Sequence, residues 1–130
     1  MADMDAEQLK ARTRQFALDI IDLCLSLGTD DIARLIRPQL LRSGTGVATG
    51  YRAACRGRSS REFASRMATV TEEADESELW LDILQVRRRG PDAIVSQLRR
   101  ESIELRAIAA ASRATTLKRL RRTPIRKDRP

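Results

Sequence analysis

Residues 39–84 read QLLRSGTGVATGYRAACRGRSSREFASRMATVTEEADESELWLDIL, and this stretch decides the fold. Its first half is a predicted helix whose inward stripe carries very little side-chain volume. The stripe consists of Ser43, Gly44, Gly46, Ala48, Gly50, Ala53 and Ala54. A glycine inside a helix is less favourable than alanine by roughly 1 kcal/mol, and close packing can offset this loss. The stripe therefore predicts a tightly packed helical bundle, with a further subunit against this helix.

The second half of the stretch is an amphipathic predicted helix that carries an acidic block. Six acids and no base lie between Glu72 and Asp82. If the turn between the two helices is short, the helices run antiparallel and Arg42 faces Asp75, within reach of Glu72 or Glu76. An exposed ion pair of this kind is worth only about 0.2–1 kcal/mol, and one at an interface is worth more. The acidic block is therefore predicted to be a solvated or interfacial face, with Arg42 as its partner.

The first predicted helix covers about residues 5–27. Its apolar residues recur at alternating spacings of four and three, which is the pattern of a heptad seam. The seam consists of Leu9, Thr13, Phe16, Ile20, Leu23 and Leu27. Gly28 follows the seam and is well placed to end the helix in a left-handed conformation.

Three further helices follow from the same periodicity. The second covers about residues 31–56, with a kink or a later start at Pro38, which lacks the amide hydrogen of a helix interior. The third covers about residues 60–88. The fourth begins at Pro91, a residue suited to the first helical position, and fades past Thr116.

The inward seams of these helices are also predicted. The seam of the second helix consists of Ile32, Leu35, Ile36, Leu40, Val47, Tyr51 and Ala54. The seam of the third helix consists of Phe63, Met67, Val70, Ala74, Ser77, Leu81 and Leu84. The seam of the fourth helix consists of Ile94, Leu98, Leu105, Ile108 and Ala109. Ser59 and Glu62 form a capping box at the start of the third helix. Because the connections are short, neighbouring helices are antiparallel. The prediction is an all-α, up-down-up-down four-helix bundle over residues 1–117.

Positive charge is concentrated near the C-terminus. The net charge of the chain is +7, and residues 118–130 carry seven bases against Asp128 alone. The bases are Lys118, Arg119, Arg121, Arg122, Arg126, Lys127 and Arg129. This segment has few apolar side chains to bury, so residues 118–130 are predicted to form a disordered basic tail. The positive charge of the tail is expected to attract a polyanion to this part of the protein first.

Several kinds of chemistry are not expected. The chain has no histidine, which removes the commonest general base and metal ligand. Cys24 and Cys55 are far from any predicted helix start and form no CxxC, so both are expected to be packing residues of a reduced protein. The glycines of residues 44–50 lie inside a helical pattern and not after a strand, which argues against a phosphate-binding loop. We therefore expect no enzyme, no metal and no cofactor.

The N-terminal segment and the hydropathy point to one compartment. The first ten residues carry acids where a signal peptide would carry bases. No apolar run approaches the length needed to span a membrane. A cytoplasmic protein that does not enter the membrane is the simplest interpretation.

Several segments resemble a known family in order and spacing. They are FALDIIDL, QLLRSGTGV, the tyrosine of GYRAA, RSSREF, EEADESELWLDIL and, in the last helix, LRRESIELRAIAAAS. Together they resemble the bacterial four-helix-bundle proteins whose first-named members are encoded within intervening sequences of 23S ribosomal RNA genes. The resemblance covers about residues 9–117. It departs at Thr49, Gly50 and Tyr51, where that family usually has Ala-Asn-Tyr.

The resemblance implies an up-down-up-down bundle that assembles into a ring of five subunits. A more distant relative is the accessory protein of diversity-generating retroelements, which binds nucleic acid and a reverse transcriptase. Candidates for packing or for the subunit interface are Gly44, Gly46, Gly50, Tyr51 and Trp80, together with Arg42 and the acids Glu72, Asp75 and Glu76.

Two classes of function remain open. The first is a non-enzymatic protein that binds structured RNA or another nucleic acid through the tail, helped by arginines of the last helix. These arginines are Arg99, Arg100, Arg106 and Arg113. The second is a structural ring that binds another protein and has no role with nucleic acid. Trp80 is expected to pack in the core or at a subunit interface, because one isolated aromatic makes a poor platform for stacking bases.

Overall fold

The computed structural model describes residues 4–122, and these form four α-helices. They are α1 (Ala6–Ser26), α2 (Asp31–Cys55), α3 (Ser60–Val86) and α4 (Asp92–Arg122). Helices that follow one another in the chain pack side by side, and α4 returns to touch α1 over a smaller surface. The fold is the predicted all-α, up-down-up-down four-helix bundle.

The first three helices begin at side chains that accept hydrogen bonds from free amides of the first turn. The Asp5 carboxylate accepts a hydrogen bond from the Gln8 amide (2.8 Å), and the Gln8 side chain accepts one from the Asp5 amide (3.0 Å). At the start of α3, the Ser59 hydroxyl accepts from the Glu62 amide (3.1 Å), as predicted. The Glu62 carboxylate, however, accepts from the amide of Arg58, one residue earlier than a capping box requires.

The predicted left-handed end of α1 at Gly28 is wrong. The helix ends at Ser26; the next residue, Leu27, has an extended backbone with φ −70° and ψ 143°, and Gly28 does not have a positive φ. The carbonyls of this end are instead bound by a side chain from α2. Arg37 donates to the carbonyl oxygens of Cys24 (3.1 Å) and Leu27 (2.8 Å), and also to that of Gly28. The Arg37 side chain thus satisfies carbonyl oxygens at the helix end, which a left-handed residue would have allowed backbone amides to satisfy.

Two further boundaries differ from the prediction. The helix α2 begins at Asp31 and continues through Pro38 without a break. The helix α4 starts one residue after Pro91, whose carbonyl accepts the amide of Val95 (3.0 Å), and does not fade past Thr116 but continues to Arg122. Its last turns persist because Leu117 is half-buried beside the first half of α3.

The core is formed by the predicted seams, with two exceptions. Every seam residue of α1 is buried. Leu35 and Ile94 were expected to point inward, but they are 61% and 44% exposed, respectively, and the neighbouring Ala33 and Val95 are buried in their place. The buried position is shifted by two residues in α2, from Leu35 to Ala33, and by one residue in α4, from Ile94 to Val95.

The glycines of α2 allow close approach to helices of the same chain. A Cβ on Gly44 would lie 2.8 Å from Cγ2 of Ile20 in α1. A Cβ on Gly46 would lie 3.1 Å from the Glu73 carboxyl carbon, and one on Gly50 would lie 3.1 Å from Cγ2 of Val70. The small-residue stripe is therefore explained by packing of α2 against α1 and α3.

Replacing Gly44 with alanine tests this close approach. Ile20 is fully buried and β-branched, so the added methyl forces repacking that costs about 1–3 kcal/mol. Alanine recovers about 1 kcal/mol of helix propensity, which leaves a net destabilisation of about 0–2 kcal/mol. Urea unfolding followed by circular dichroism measures the change. Gly28→Ala is the control, because nothing lies within 4 Å of its added Cβ. A Gly44→Ala protein that is more stable than Gly28→Ala by the full gain in helix propensity, about 1 kcal/mol, would contradict the packing argument.

Candidate nucleic-acid interface

Four helix termini meet at one end of the bundle: the start of α1, the end of α2, the start of α3 and the end of α4. We call this region, residues 5–10, 52–72 and 107–122, the basic end. It carries eleven bases and four acids. The other described residues carry eleven bases and twelve acids. Almost all the net positive charge of residues 4–122 therefore lies at one end of the molecule.

A groove runs between α3 and α4 at the basic end, with a volume of about 510 Å³. We call it the α3–α4 groove. Its floor is made of small and apolar side chains, and its edges carry three bases and one acid. The floor residues are Ala68, Thr71, Ala110, Ala114 and Leu117, and the charged residues are Glu72, Arg113, Lys118 and Arg121. The Nε atom of Arg113 is buried and has no hydrogen-bond partner among the described residues.

A second, smaller groove of about 370 Å³ lies on the other side of α3, against the end of α2. We call it the α2–α3 groove. Its charged residues are Arg52, Arg56, Arg66 and Glu62. Glu62 accepts from Arg66 (3.2 Å). Hydrogen bonds from the Arg58 amide and then from Arg66 hold the pKa of Glu62 below its usual value.

These arginines at the end of α2 and the start of α3 were not among the predicted binding residues. A signal was present in the sequence, since residues 32–66 carry eight bases and one acid. Along the chain, however, these residues lie about fifty positions before the C-terminal bases. Only the antiparallel arrangement of α2, α3 and α4 brings the two groups to the same end.

The predicted arginines of α4 have different surroundings. Arg106 donates to Asp75 and Glu78, both at 2.6 Å, and the hydrogen bond to Glu78 is the main reason that its pKa is raised. Arg99 lies 3.4 Å from Asp82 and 3.7 Å from Glu78. The charges of these two arginines are thus largely offset by α3.

The other two predicted arginines form no ion pair with α3 in the described residues. Arg100 is exposed and donates to Ser96 (2.8 Å), beside the cleft between α1 and α4. Arg113 lines the α3–α4 groove. Of the four arginines predicted on α4, only Arg113 lies at the basic end.

The acidic block of α3 is bound from both sides. Arg42 of α2 hydrogen-bonds Glu76, as the register predicted, but its second acidic neighbour is Glu73 (3.6 Å) and not Asp75 or Glu72. Asp75 faces α4 instead. Burial raises the pKa of Glu73, whose Oε2 atom lacks a hydrogen-bond partner within residues 4–122. The block holds α2, α3 and α4 together, and Glu72 alone extends toward the α3–α4 groove.

The remaining predicted packing residues lie inside or beside the core. Tyr51 is buried, and burial raises its pKa. Trp80 is half-buried against the core, and its indole N–H has no partner in the described part of the chain. Burial also raises the pKa of the Cys24 thiol to about 11, so little of it is thiolate at neutral pH.

Only part of the predicted tail can be placed. Lys118, Arg119, Arg121 and Arg122 form the last turns of α4. Arg126, Lys127 and Arg129 lie outside the described residues. Between residues 4 and 122, no group of three or more His, Cys, Asp or Glu side chains is placed to hold a metal ion. None of the four helices combines the length and apolar character needed to cross a membrane.

Fold and charge together define a four-helix bundle with one strongly basic end. A solved structure with this fold is that of a protein of unknown function from the S23 ribosomal protein family of Bacteroides thetaiotaomicron. The two chains are 23% identical with a TM-score of 0.77, and the match covers 85% of this chain and 99% of the other. This likeness shows the shared fold. No family model matches the chain, and no curated protein matches it.

Proposed function

We propose that this protein is a non-enzymatic nucleic-acid-binding protein that holds structured RNA against its basic end. The observation that carries the proposal is the separation of charge, with eleven bases against four acids at one end and near balance elsewhere in the described chain. A basic surface of this kind attracts a polyanion by neutralising phosphates and releasing their counterions. A cytoplasmic location, where structured RNA is abundant, is part of the proposal.

The aromatic residues favour recognition of the RNA backbone and shape over recognition of sequence. Phe16 and Tyr51 are buried, and Phe63 and Trp80 are half-buried against the core. None of these rings is free to serve as an open platform for a row of bases, which is how proteins bind single strands without reading sequence. Double-stranded RNA is recognised mainly through its phosphates, hydroxyl groups and shape.

The S23 ribosomal protein family named for the structural neighbour supports the choice of RNA over DNA as the first ligand to test. The neighbour is itself of unknown function, so its family name indicates which ligand to test first and says nothing about the mechanism. The resemblance to proteins encoded within 23S ribosomal RNA genes points the same way.

The proposal is tested by titrating the full-length protein into a fluorescently labelled RNA duplex over a range of salt concentrations. We expect binding at low salt and a linear fall of log affinity with log salt concentration. Nucleic acid that co-purifies and is removed by high salt would support the same conclusion. If the RNA duplex does not bind even at low salt, the proposal fails, and a structural ring that binds another protein becomes the better hypothesis.

We also propose that the protein assembles with itself, as a ring of five by the resemblance. The glycines of α2 no longer argue for this, because they pack within the chain. The support comes from apolar side chains at the end opposite the basic end, where Leu25, Leu35 and Val86 are 78%, 61% and 66% exposed. Large apolar side chains exposed at one end of a bundle are candidates for an interface.

Light scattering at micromolar concentration measures the assembly. We expect an oligomer for the natural chain and smaller species when Leu25 and Val86 are both replaced with glutamine. Both side chains are exposed, so the helical content is expected to stay the same. A natural chain that remains a monomer would refute self-assembly, whereas a ring of another order would change only the number of subunits.

A further inference from the structure

We propose that the α3–α4 groove holds one unpaired nucleotide of the bound RNA, such as a bulged base at the edge of a duplex. This inference rests on the proposed function and adds to it a specific contact with an extruded nucleotide. Contacts with phosphates alone would attract any RNA duplex equally. A groove that accepts one base would make the protein prefer RNA that has a base to offer.

The shape of the groove suits a nucleotide. Its volume of about 510 Å³ lies within the range of about 300–1,000 Å³ that is usual for small-molecule sites. Ala68, Ala110 and Ala114 leave room between the two helices, and Leu117 adds an apolar wall. Ala110 and Ala114 are exposed, so the groove is open along its α4 side and can be reached by a nucleotide that is still part of a polymer.

The charges and the unsatisfied group of the groove point to the same ligand. Lys118 and Arg121 are three residues apart on α4 and are both exposed, where they can contact phosphates on either side of the nucleotide. The Nε atom of Arg113 is buried and has no hydrogen-bond partner within residues 4–122. An arginine plane is one of the surfaces on which an unstacked RNA base stacks, and Arg113 lines this groove.

The α2–α3 groove provides an internal comparison. It also carries three bases, here all arginines, and one acid, but its volume is only about 370 Å³ and it has a single alanine, Ala53. Arg66 is already bonded to Glu62 there. We therefore assign phosphate contacts to the α2–α3 groove and the nucleotide to the α3–α4 groove.

Filling the groove without changing its charge separates these roles. Ala114→Leu places an isobutyl group in the groove, and Ala111→Leu places the same group on an exposed position of α4 outside it. Each protein is titrated into two labelled RNAs, a perfect duplex and the same duplex with one bulged nucleotide. We expect the natural chain and Ala111→Leu to bind the bulged RNA about tenfold more tightly than the duplex, the effect of one stacked base. Ala114→Leu is expected to bind both RNAs with the affinity of the duplex.

The outcomes distinguish this inference from the proposed function. If the natural chain binds both RNAs equally, or if Ala114→Leu keeps the preference, the nucleotide is not in this groove, although binding to the basic end still stands. If neither RNA binds, the proposed function and this inference both fail.

Glu72→Gln is a second test that does not alter packing, because Glu72 is exposed at the mouth of the groove. Removing this negative charge is expected to strengthen binding of the bulged RNA about twofold to fivefold. We expect a smaller change for the perfect duplex. An unchanged affinity for the bulged RNA would place its phosphates away from Glu72 and overturn the assignment.

Discussion

Replacing Lys118, Arg119, Arg121 and Arg122 with glutamine is expected to weaken RNA binding about 100- to 1,000-fold at physiological salt. Each lost phosphate contact also lowers the slope of log affinity against log salt concentration by about 0.7–0.9. The four side chains form the last two turns of α4 at the basic end. Because Lys118, Arg121 and Arg122 are exposed and carry no core contact, the bundle is expected to remain folded.

A control variant with the same net charge separates the basic end from charge in general. Arg14, Arg34, Arg87 and Arg100 are exposed and lie outside the basic end, so replacing them with glutamine removes as much charge from other surfaces. We expect this variant to lose less than about tenfold in affinity, since exposed charges beyond about 10 Å from the ligand are screened. Equal losses in the two variants would show that RNA does not choose the basic end.

Truncation after Arg122 measures the separate contribution of the last eight residues, which carry Arg126, Lys127 and Arg129. The sequence predicted that residues 118–130 act as one tail. The helix α4 extends five residues into that segment, so the truncated protein keeps Lys118 and Arg121 on the α3–α4 groove. Binding that survives truncation but not the glutamine substitutions would locate the site on α4.

Much of the fold could be predicted because hydrophobic periodicity is a local signal. The α1 seam repeats without interruption from Leu9 to Leu27, and all of it is buried. The helix ends were less predictable because they depend on distant side chains. Glycine is the residue type suited to a left-handed cap, but the carbonyls at the end of α1 are bound by Arg37 from α2 and not by a left-handed turn at Gly28. Likewise, α4 continues past Thr116 because α3 lies beside Leu117.

The candidate site was less predictable than the fold because the number of charged residues in a segment does not show which of them form ion pairs. Arg106 and Lys118 look equivalent in sequence, yet Arg106 is bonded to two acids of α3 and Lys118 stands at the edge of an open groove. The acids of the acidic block pair with α2 on one side and with α4 on the other, and the register of the three helices decides which acid faces which helix. That register also carries Arg52 and Arg56 to the end where α4 finishes.

The largest loss of stability is expected from Arg37→Met, which keeps the aliphatic stem and removes the guanidinium group. Arg37 is half-buried and donates to three carbonyl oxygens at the end of α1. These oxygens belong to Cys24, Leu27 and Gly28, and those of the first two residues lie in a buried part of the chain. Hydrogen bonds to a charged group are worth about 1.5–3 kcal/mol each, and a buried carbonyl left without a donor adds to the loss.

We expect Arg37→Met to lower the free energy of unfolding by about 2–4 kcal/mol. The exposed Gly28 carbonyl can be hydrated and the Cys24 carbonyl keeps the Leu27 amide (3.3 Å), so the Leu27 carbonyl is the one left without a donor. Arg34→Met is the matched control, because Arg34 is exposed one turn earlier on the same helix. Urea unfolding gives the two stabilities, and hydrogen exchange should show faster opening of the last turn of α1 in Arg37→Met alone. If the two variants unfold within about 0.5 kcal/mol of each other, the usual range for surface substitutions, water replaces the guanidinium and the turn between α1 and α2 is held by packing instead.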